Sequence, residues 1–326
     1  MSVSGNSAVV SVVICTWNRA SQLRETLDSL LNQRGVDASR VEVIVVDNNS
    51  TDSTRDIIER SCQSWTLGQL HYVFEPRQGK QFALNQGYKF ATAPVVAFTD
   101  DDIIFPPQWL ARIMVLFSEQ GTDLAGGKTL IKWPAQGRPV WYSDDMQAIL
   151  GGVDLGDQRL NPAPPSFAPG GANLAACRDL FQRVGLFSET HFRHMDFEFG
   201  MRCQQAGVRV VYDPNIFVYA PVDPAMLTRR YFRRWSFKSG ISRSGGINAL
   251  RGDWRTVPRW LYRQLVEDAW FVWVTSRGQP PAVSFSRELR LWRALGTITN
   301  VWHARIRAGS HAAWVERHSQ KKNNVY

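Results

Sequence analysis

The chain lacks any cysteine spacing that would build a metal or redox centre. Cys15, Cys62, Cys177 and Cys203 stand far apart, with no two-residue pair among them, which excludes a zinc ribbon, a dithiol motif and a disulfide scaffold and suits a reducing compartment. It also lacks a long apolar run. The longest candidate, Ala269 to Ser276, falls far short of the ~20 residues that a spanning helix needs. Met1 to Ala8, without a basic residue, is read as neither a signal peptide nor an anchor. Glycine-rich GxGxxG and GK[ST] patterns are missing too, which sets aside dinucleotide-binding and P-loop chemistry. No internal repeat or low-complexity tract is present. What remains is a globular composition of 326 residues, 44% hydrophobic and 21% charged, enough for one large or two modest domains with a sizeable core.

Acidic charge is scarce only at one end. Residues 228–326 carry 19 Lys and Arg against 5 Asp and Glu, whereas residues 1–227 carry 19 against 24, within an overall net charge of +9. Eight of the 13 tryptophans also fall after residue 227. A mildly acidic body with a basic, Trp-rich tail implies two functional surfaces, the second facing something anionic.

Hydrophobic periodicity places a strand at Val9–Cys15 and a helix through Leu23, Leu27, Leu30 and Leu31. A second strand follows at Val41–Val46, then a helix from Thr54 to Ser61. Leu70–Phe74, Lys80–Phe90 and Val95–Phe98 continue as strand, helix and strand. This βαβα order requires a mostly parallel sheet flanked by helices, an α/β architecture. Gly151–Gly171 reads as a mobile loop over a site, Asn173–Val184 as a helix and Val208–Tyr212 as a strand. Pro258–Val274 and Phe285–Ile306 both have helical spacing. The second carries an apolar stripe through Phe285, Leu289, Trp292, Leu295, Thr299, Trp302 and Ile306, with Arg287, Arg290 and Arg293 off it.

Ligands of open parallel sheets sit outside the carboxyl ends of the strands, and two acidic motifs fall there. Asp100-Asp101-Asp102 directly follows the buried strand Val95–Phe98. Three adjacent carboxylates repel unless a cation compensates, and hard oxygen ligands suit Mg2+ or Mn2+ shared with substrate phosphates. Asp47, ending Val43–Val46, fits either a helix N-cap or a hydrogen-bond acceptor for a ribose hydroxyl or a base N–H. The loop Thr16, Trp17, Asn18 and Arg19 adds neutral donors and one cation.

Taken together, Cys15–Arg19, Val45–Asp52, Glu75–Asn85, Phe98–Ile103 and Gly171–Arg178 resemble the family 2 inverting glycosyltransferases, and in particular bacterial enzymes of surface-polysaccharide assembly. The resemblance runs over about residues 9–240. It implies a GT-A fold: a catalytic domain at 1–227, with a nucleotide-sugar half at about 9–125 and an acceptor half at about 126–227, and a helical basic extension at 228–326. It assigns Thr16, Asn18, Arg19 and Asp47 to the nucleotide, Arg77 and Lys80 to the diphosphate, Asp100 and Asp101 to the donor, and Asp102 to the metal. Asp196 becomes the general base, with Glu198 and Asn173 on the acceptor side. Arg233 and Arg234, in Arg229–Trp235, become contacts to a donor or lipid-linked pyrophosphate. Direct displacement at an anomeric carbon needs both a base for the acceptor hydroxyl and charge stabilisation for the departing nucleoside diphosphate.

Three departures from the family pattern stand out. Met195 replaces the Glu that usually precedes the base, no His occurs in Val218–Pro221, and Tyr231 replaces the Gln of processive relatives. His191 and His194 are alternative metal ligands, and Arg193 or Arg202 alternative ion-pair partners for Asp196. Two competing functions are a sugar-phosphate nucleotidyltransferase, disfavoured because Cys15–Ala20 contains no Gly, and a nucleic-acid binder, disfavoured because the tail holds no recognisable motif. The expected partners are a nucleotide-sugar donor and a glycan or lipid-linked acceptor, with no nucleic acid. The expected location is the cytoplasm, with the tail, and its Phe285–Ile306 helix above all, resting on an anionic inner membrane face.

Overall fold

The computed structural model describes residues 9–119, 121–189, 194–249, 257–306 and 314–315. The chain forms two compact units, one of Met1–Lys132 with Gly151–Pro221, the other of Trp133–Leu150 with Val222–Tyr326.

In the first unit, β1 (Val10–Thr16), β2 (Val41–Asp47), β3 (Gln69–Phe74) and β4 (Val95–Asp100) alternate with α1 (Ala20–Leu31), α2 (Thr54–Ser64) and α3 (Lys80–Phe90). After α4 (Trp109–Ser118) come β5 (Leu124–Gly126), β6 (Thr129–Lys132), β7 (Leu174–Cys177), α5 (Leu180–Val184), α6 (Met195–Gln205), β8 (Val210–Tyr212) and β9 (Val218–Pro221). The main sheet runs β3-β2-β1-β4-β7-β5-β8. Its pairs are parallel except those of β7, which is antiparallel to both β4 and β5. β6 and β9 form a separate parallel pair.

The β-branched runs explain the core. Along β1 the side chains alternate between sheet faces: Val10, Val12 and Ile14 join Leu23, Leu27, Leu30 and Trp109 on one side. Val13 and Cys15 join Ala83, Leu84, Phe181, Phe187 and Phe199 on the other. Gly87 lets α3 lie close to the sheet, since a Cβ there would stand 2.3 Å from Val13 Cγ1.

The expected helix at Asn173–Val184 is a correction: its first half is the strand β7. Leu174-Ala175-Ala176 is short, apolar and narrow enough to slot between β4 and β5, and only the last five residues are helical. The Gly151–Gly171 loop is likewise more tied down than its composition implies. Val153 bridges to Thr129 and Leu160 to Tyr212, while Lys128 pairs with Asp154 at 3.2 Å and Asp157 at 2.6 Å.

The second unit contains α7 (Arg229–Ala249), α8 (Arg259–Trp270), a π-helical turn (Phe271–Thr275) and α9 (Pro281–Ile306). Trp133–Leu150 belongs with these helices, because Trp141 stacks edge-on against Phe232 and Phe285, each at 5.0 Å. α7 and α9 pack closely at paired glycines: a Cβ on Gly240 would lie 2.1 Å from Arg293 O, and one on Gly296 2.0 Å from Phe237 O. The α9 stripe therefore faces inward at Phe285 and Leu289, both buried. Arg287 and Arg290, each about two-fifths exposed, reach back to Asp268, whose side chain is 0% exposed, at 3.0 and 3.2 Å. The start of the stripe expected at a membrane thus packs within this unit, whereas Trp302 farther along it is 54% exposed.

Candidate active site

Parallel strands deliver Thr16, Asp47 and Asp100 to one edge of the sheet, at the carboxyl ends of β1, β2 and β4. A run of like charges at this edge needs compensation. Arg19 supplies part of it, with Nη1 3.0 Å from Asp101 Oδ1 and 2.6 Å from Asp102 Oδ2. Lys80, at the start of α3, pairs with Asp100. Asp101 is the buried member, 5% exposed; burial outweighs the attraction of Arg19 and, with Asp102 adding repulsion, pushes its carboxyl up to about 6. Burial acts to lower the Lys80 ammonium, yet the Asp100 carboxylate outweighs it and raises that group above its ordinary value. Asp100 and Asp102 keep roughly a third of their side chains open to solvent, at 30% and 37%.

Asp196, in the first turn of α6, joins this cluster. Its Oδ2 accepts the Gly171 N–H at 2.7 Å and its Oδ1 the Phe197 N–H at 2.9 Å. A Cβ on Gly171 would lie 3.4 Å from both Asp196 Oδ2 and Lys80 Nζ, so this glycine leaves open the space between a carboxylate and an ammonium. Met195 is buried with Leu180, Phe181 and Phe199, so the residue in place of the usual Glu anchors α6 in the core.

Asp47 is buried, with Oδ1 accepting Ser50 N–H at 2.9 Å and Oδ2 accepting the Tyr72 hydroxyl at 3.2 Å. The helix-capping role falls to Asp52, which accepts Ala20 N–H at the start of α1 and Thr54 N–H at the start of α2. Asn18, at φ 50°, accepts Thr51 N–H at 2.7 Å and so ties the two nucleotide-side loops together. Arg77 forks onto Glu75 at 3.0 and 3.1 Å and lies over the Phe82 ring.

Other expected residues are placed elsewhere. Asn173 is 2% exposed, and its two amide protons go to Lys128 O and Ile216 O while its oxygen accepts Trp109 Nε1–H; it is a joint behind the sheet edge. Glu198 pairs with Arg202 one turn on, at 2.9 Å. Arg233 pairs with Glu288 inside the helical unit, and Arg234 is exposed there. His194 takes a left-handed conformation at the start of α6, while His191 and Arg193 lie outside the described residues. Among the described residues no group of three His, Cys, Asp or Glu converges as a complete metal cage.

Two positions escaped sequence reading. Asn48 is buried and clamps the 75–79 loop to the end of β2 by accepting Gly79 N–H at 2.7 Å and donating to Arg77 O at 2.6 Å and Glu75 O at 3.2 Å. Its signal is one polar residue placed directly after a buried strand. Thr26 of α1 fixes the acidic turn, donating to Asp101 O at 2.9 Å and accepting Ile103 N–H at 3.1 Å; a Thr within a Leu-rich helix face was its only mark.

Comparison with known proteins supplies the class. The family profile described as "Glycosyl transferase family group 2" matches residues 95–305, and "Glycosyl transferase family 2" matches 11–160. The chain belongs to the family 2 glycosyltransferases, and its fold is of the GT-A type. It is similar to glycosyltransferase AglE of Haloferax volcanii, 25% identical over 69% of this chain and 71% of that one. It is also similar to the succinoglycan biosynthesis protein ExoM of Rhizobium meliloti, 25% identical over 71% and 72%. An uncharacterized glycosyltransferase of Nostoc is 36% identical over 36% of this chain, which spans only 34% of that relative's length. Among solved structures, a mannosyltransferase from Pyrobaculum calidifontis, in complex with GDP-Man and Mn2+, aligns over 95% of this chain and 84% of its own with a TM-score of 0.56 and 20% identity. TarS 1–349 of S. aureus aligns over 92% of each chain at 0.53 and 18%.

Proposed function

We propose that this protein is a metal-dependent, inverting glycosyltransferase that moves a sugar from a nucleoside-diphosphate donor to a hydroxyl of a glycan or lipid-linked acceptor in the cytoplasm. The observation that carries the reading is the cluster at the sheet edge: the acidic run, Lys80 and the Asp196 carboxylate, the last aimed by the Gly171 N–H at 2.7 Å. Support for the donor class comes from the Pyrobaculum neighbour, in complex with GDP-Man and Mn2+, and from a TarS structure in complex with UDP-GlcNAc. Support for glycan assembly comes from the succinoglycan relative.

The donor set fits a hard divalent cation. Asp100 and Asp102 offer two solvent-reaching carboxylates and no soft ligand, the pattern of Mg2+ or Mn2+ sites completed by substrate phosphates and water. Such an ion, when bound, neutralises charge building on the leaving diphosphate. The protein's own residues do the rest. Asp47 accepts from the nucleoside, through lone pairs that Ser50 and Tyr72 leave over. Arg77 and Lys80 bring cationic charge to the diphosphate, and Arg19 bridges Asp101 and Asp102 and offsets part of their mutual repulsion. Asp196 takes the proton of the attacking hydroxyl, and attack from the face opposite the leaving group inverts the anomeric centre. The Gly171 N–H holds Asp196 in line.

The test is a panel of nucleotide sugars with Mn2+ or Mg2+, read as nucleoside diphosphate released by slow hydrolysis. Release from one donor only in the presence of metal is expected. No release from any donor, with or without metal, would contradict the proposal.

A further inference from the structure

The helical unit carries an aromatic surface for which the catalytic reading has no use. α8 and the π-helical turn run without a break from Arg259 to Thr275, roughly 25 Å at helical rise. One side of this stretch is buried through Leu261 and Asp268. On the opposite side Arg259, Arg263, Val266, Trp270, Trp273 and Val274 recur mostly at intervals of three and four and are exposed, and exposed Arg277 follows in the turn after the helix.

The exposure is large for these residue types. Trp270 is 63% exposed and Trp273 74%. Trp260 and Tyr262 extend the surface, and Trp302 of α9 adds to it by donating its indole N–H to the Tyr262 hydroxyl at 3.1 Å. Three cations share the face with one acid, Glu267, which pairs with Arg263 at 2.7 Å. No helix among the described residues is long and apolar enough to cross a membrane. Indoles have an apolar body and a polar N–H, and they settle at headgroup level, where arginine finds phosphate. A basic helix with a moderate apolar face fits an anionic interface by charge and by depth.

We propose that the Arg259–Arg277 face lies along the surface of an anionic lipid bilayer, with Trp270 and Trp273 at the acyl boundary and Arg259, Arg263 and Arg277 against the phosphates. This places the membrane contact on α8 rather than on the α9 cations, because Arg287 and Arg290 pair with the buried Asp268, whereas Arg263 is 83% exposed and its partner Glu267 also lies on the surface. The inference is independent of the catalytic reading and is tested without a donor.

Flotation of the full chain with phosphatidylcholine vesicles, with and without phosphatidylglycerol, is the experiment. The variants are Trp270→Ser with Trp273→Ser, and Arg259→Gln with Arg263→Gln and Arg277→Gln. All five side chains are exposed, and an unchanged melting curve verifies folding. The wild type is expected to float with anionic vesicles at low salt and to be released by high salt. The arginine variant loses roughly fivefold in partitioning per cation removed, and the tryptophan variant roughly tenfold or more. A wild type that stays soluble at every anionic fraction overturns the proposal, as does a tryptophan variant that floats equally well. So does a wild-type dimer that the tryptophan substitutions disperse, which would make the face an interface between two copies of the chain.

Discussion

Replacing Asp196 by Asn separates chemistry from architecture. The asparagine oxygen can still accept the Gly171 N–H that Asp196 Oδ2 accepts at 2.7 Å, so the bond survives with a neutral acceptor in place of a charged one. Charged acceptors contribute about 1.5–3 kcal/mol and neutral ones about 0.5–1.5, so the substitution costs about 1 kcal/mol of stability. In a unit of this size that lowers the melting temperature by roughly 2–4 °C. The catalytic cost is larger. Losing a general base removes about 10²–10⁴ in rate, or roughly 3–5 kcal/mol of barrier. Calorimetry of nucleoside diphosphate binding, beside transfer rates on the same preparation, resolves the two effects. Unchanged donor affinity with transfer reduced at least a hundredfold is expected. A variant that transfers at the wild-type rate, or that loses affinity and rate by the same factor, refutes the assignment of Asp196 as base.

Two further outcomes concern stability. Asp101 in the metal-free protein has its folded pKa, about 6, above the unfolded carboxylate value. Its stabilising contribution is thus complete below about pH 4 and lost as pH rises through 6, which makes the wild type about 1 kcal/mol more stable at pH 5 than at pH 7. Denaturant melts of Asp101→Asn at the two pH values should lack that increment; an identical increment would place its origin elsewhere. In the helical unit, Asp268→Ala removes a buried carboxylate while Arg287 and Arg290 remain about two-fifths exposed. With the cations still hydrated, the loss falls below the full buried-pair value, at about 2 kcal/mol. A variant with the wild-type midpoint in denaturant would show that the ion triad does not hold α8 to α9.

The parallel half of the fold was legible because β1, β2 and β4 are largely apolar runs rich in β-branched residues, the pattern of a sheet buried on both faces. The acidic motifs at their ends were legible for the same reason. β7 was not, since Leu174-Ala175-Ala176-Cys177 is as compatible with a helix as with a strand, and only its neighbours β4 and β5 decide. The site was legible where a residue type carries the chemistry, as at Asp102 and Asp196. It was obscure where backbone contacts do: Asn48 and Thr26 act through carbonyls and N–H groups distant in sequence. Helical spacing in the tail revealed α8 and α9 but not which face each buries. That choice is made by Gly240, Gly296 and Asp268, none of which alters an amphipathic pattern.

The central claim, that the acidic run at the end of β4 binds a donor diphosphate through a divalent cation, is tested most directly by titrating UDP and GDP into the wild type and Asp102→Ala, in Mn2+ and in excess EDTA. The account predicts that one nucleotide binds the wild type at least tenfold more tightly with Mn2+, the increment of one carboxylate–metal–phosphate bridge worth about 1.4 kcal/mol or more, and that Asp102→Ala loses this dependence. Equal affinity of the wild type in Mn2+ and in EDTA, or a metal dependence that Asp102→Ala retains in full, would contradict it.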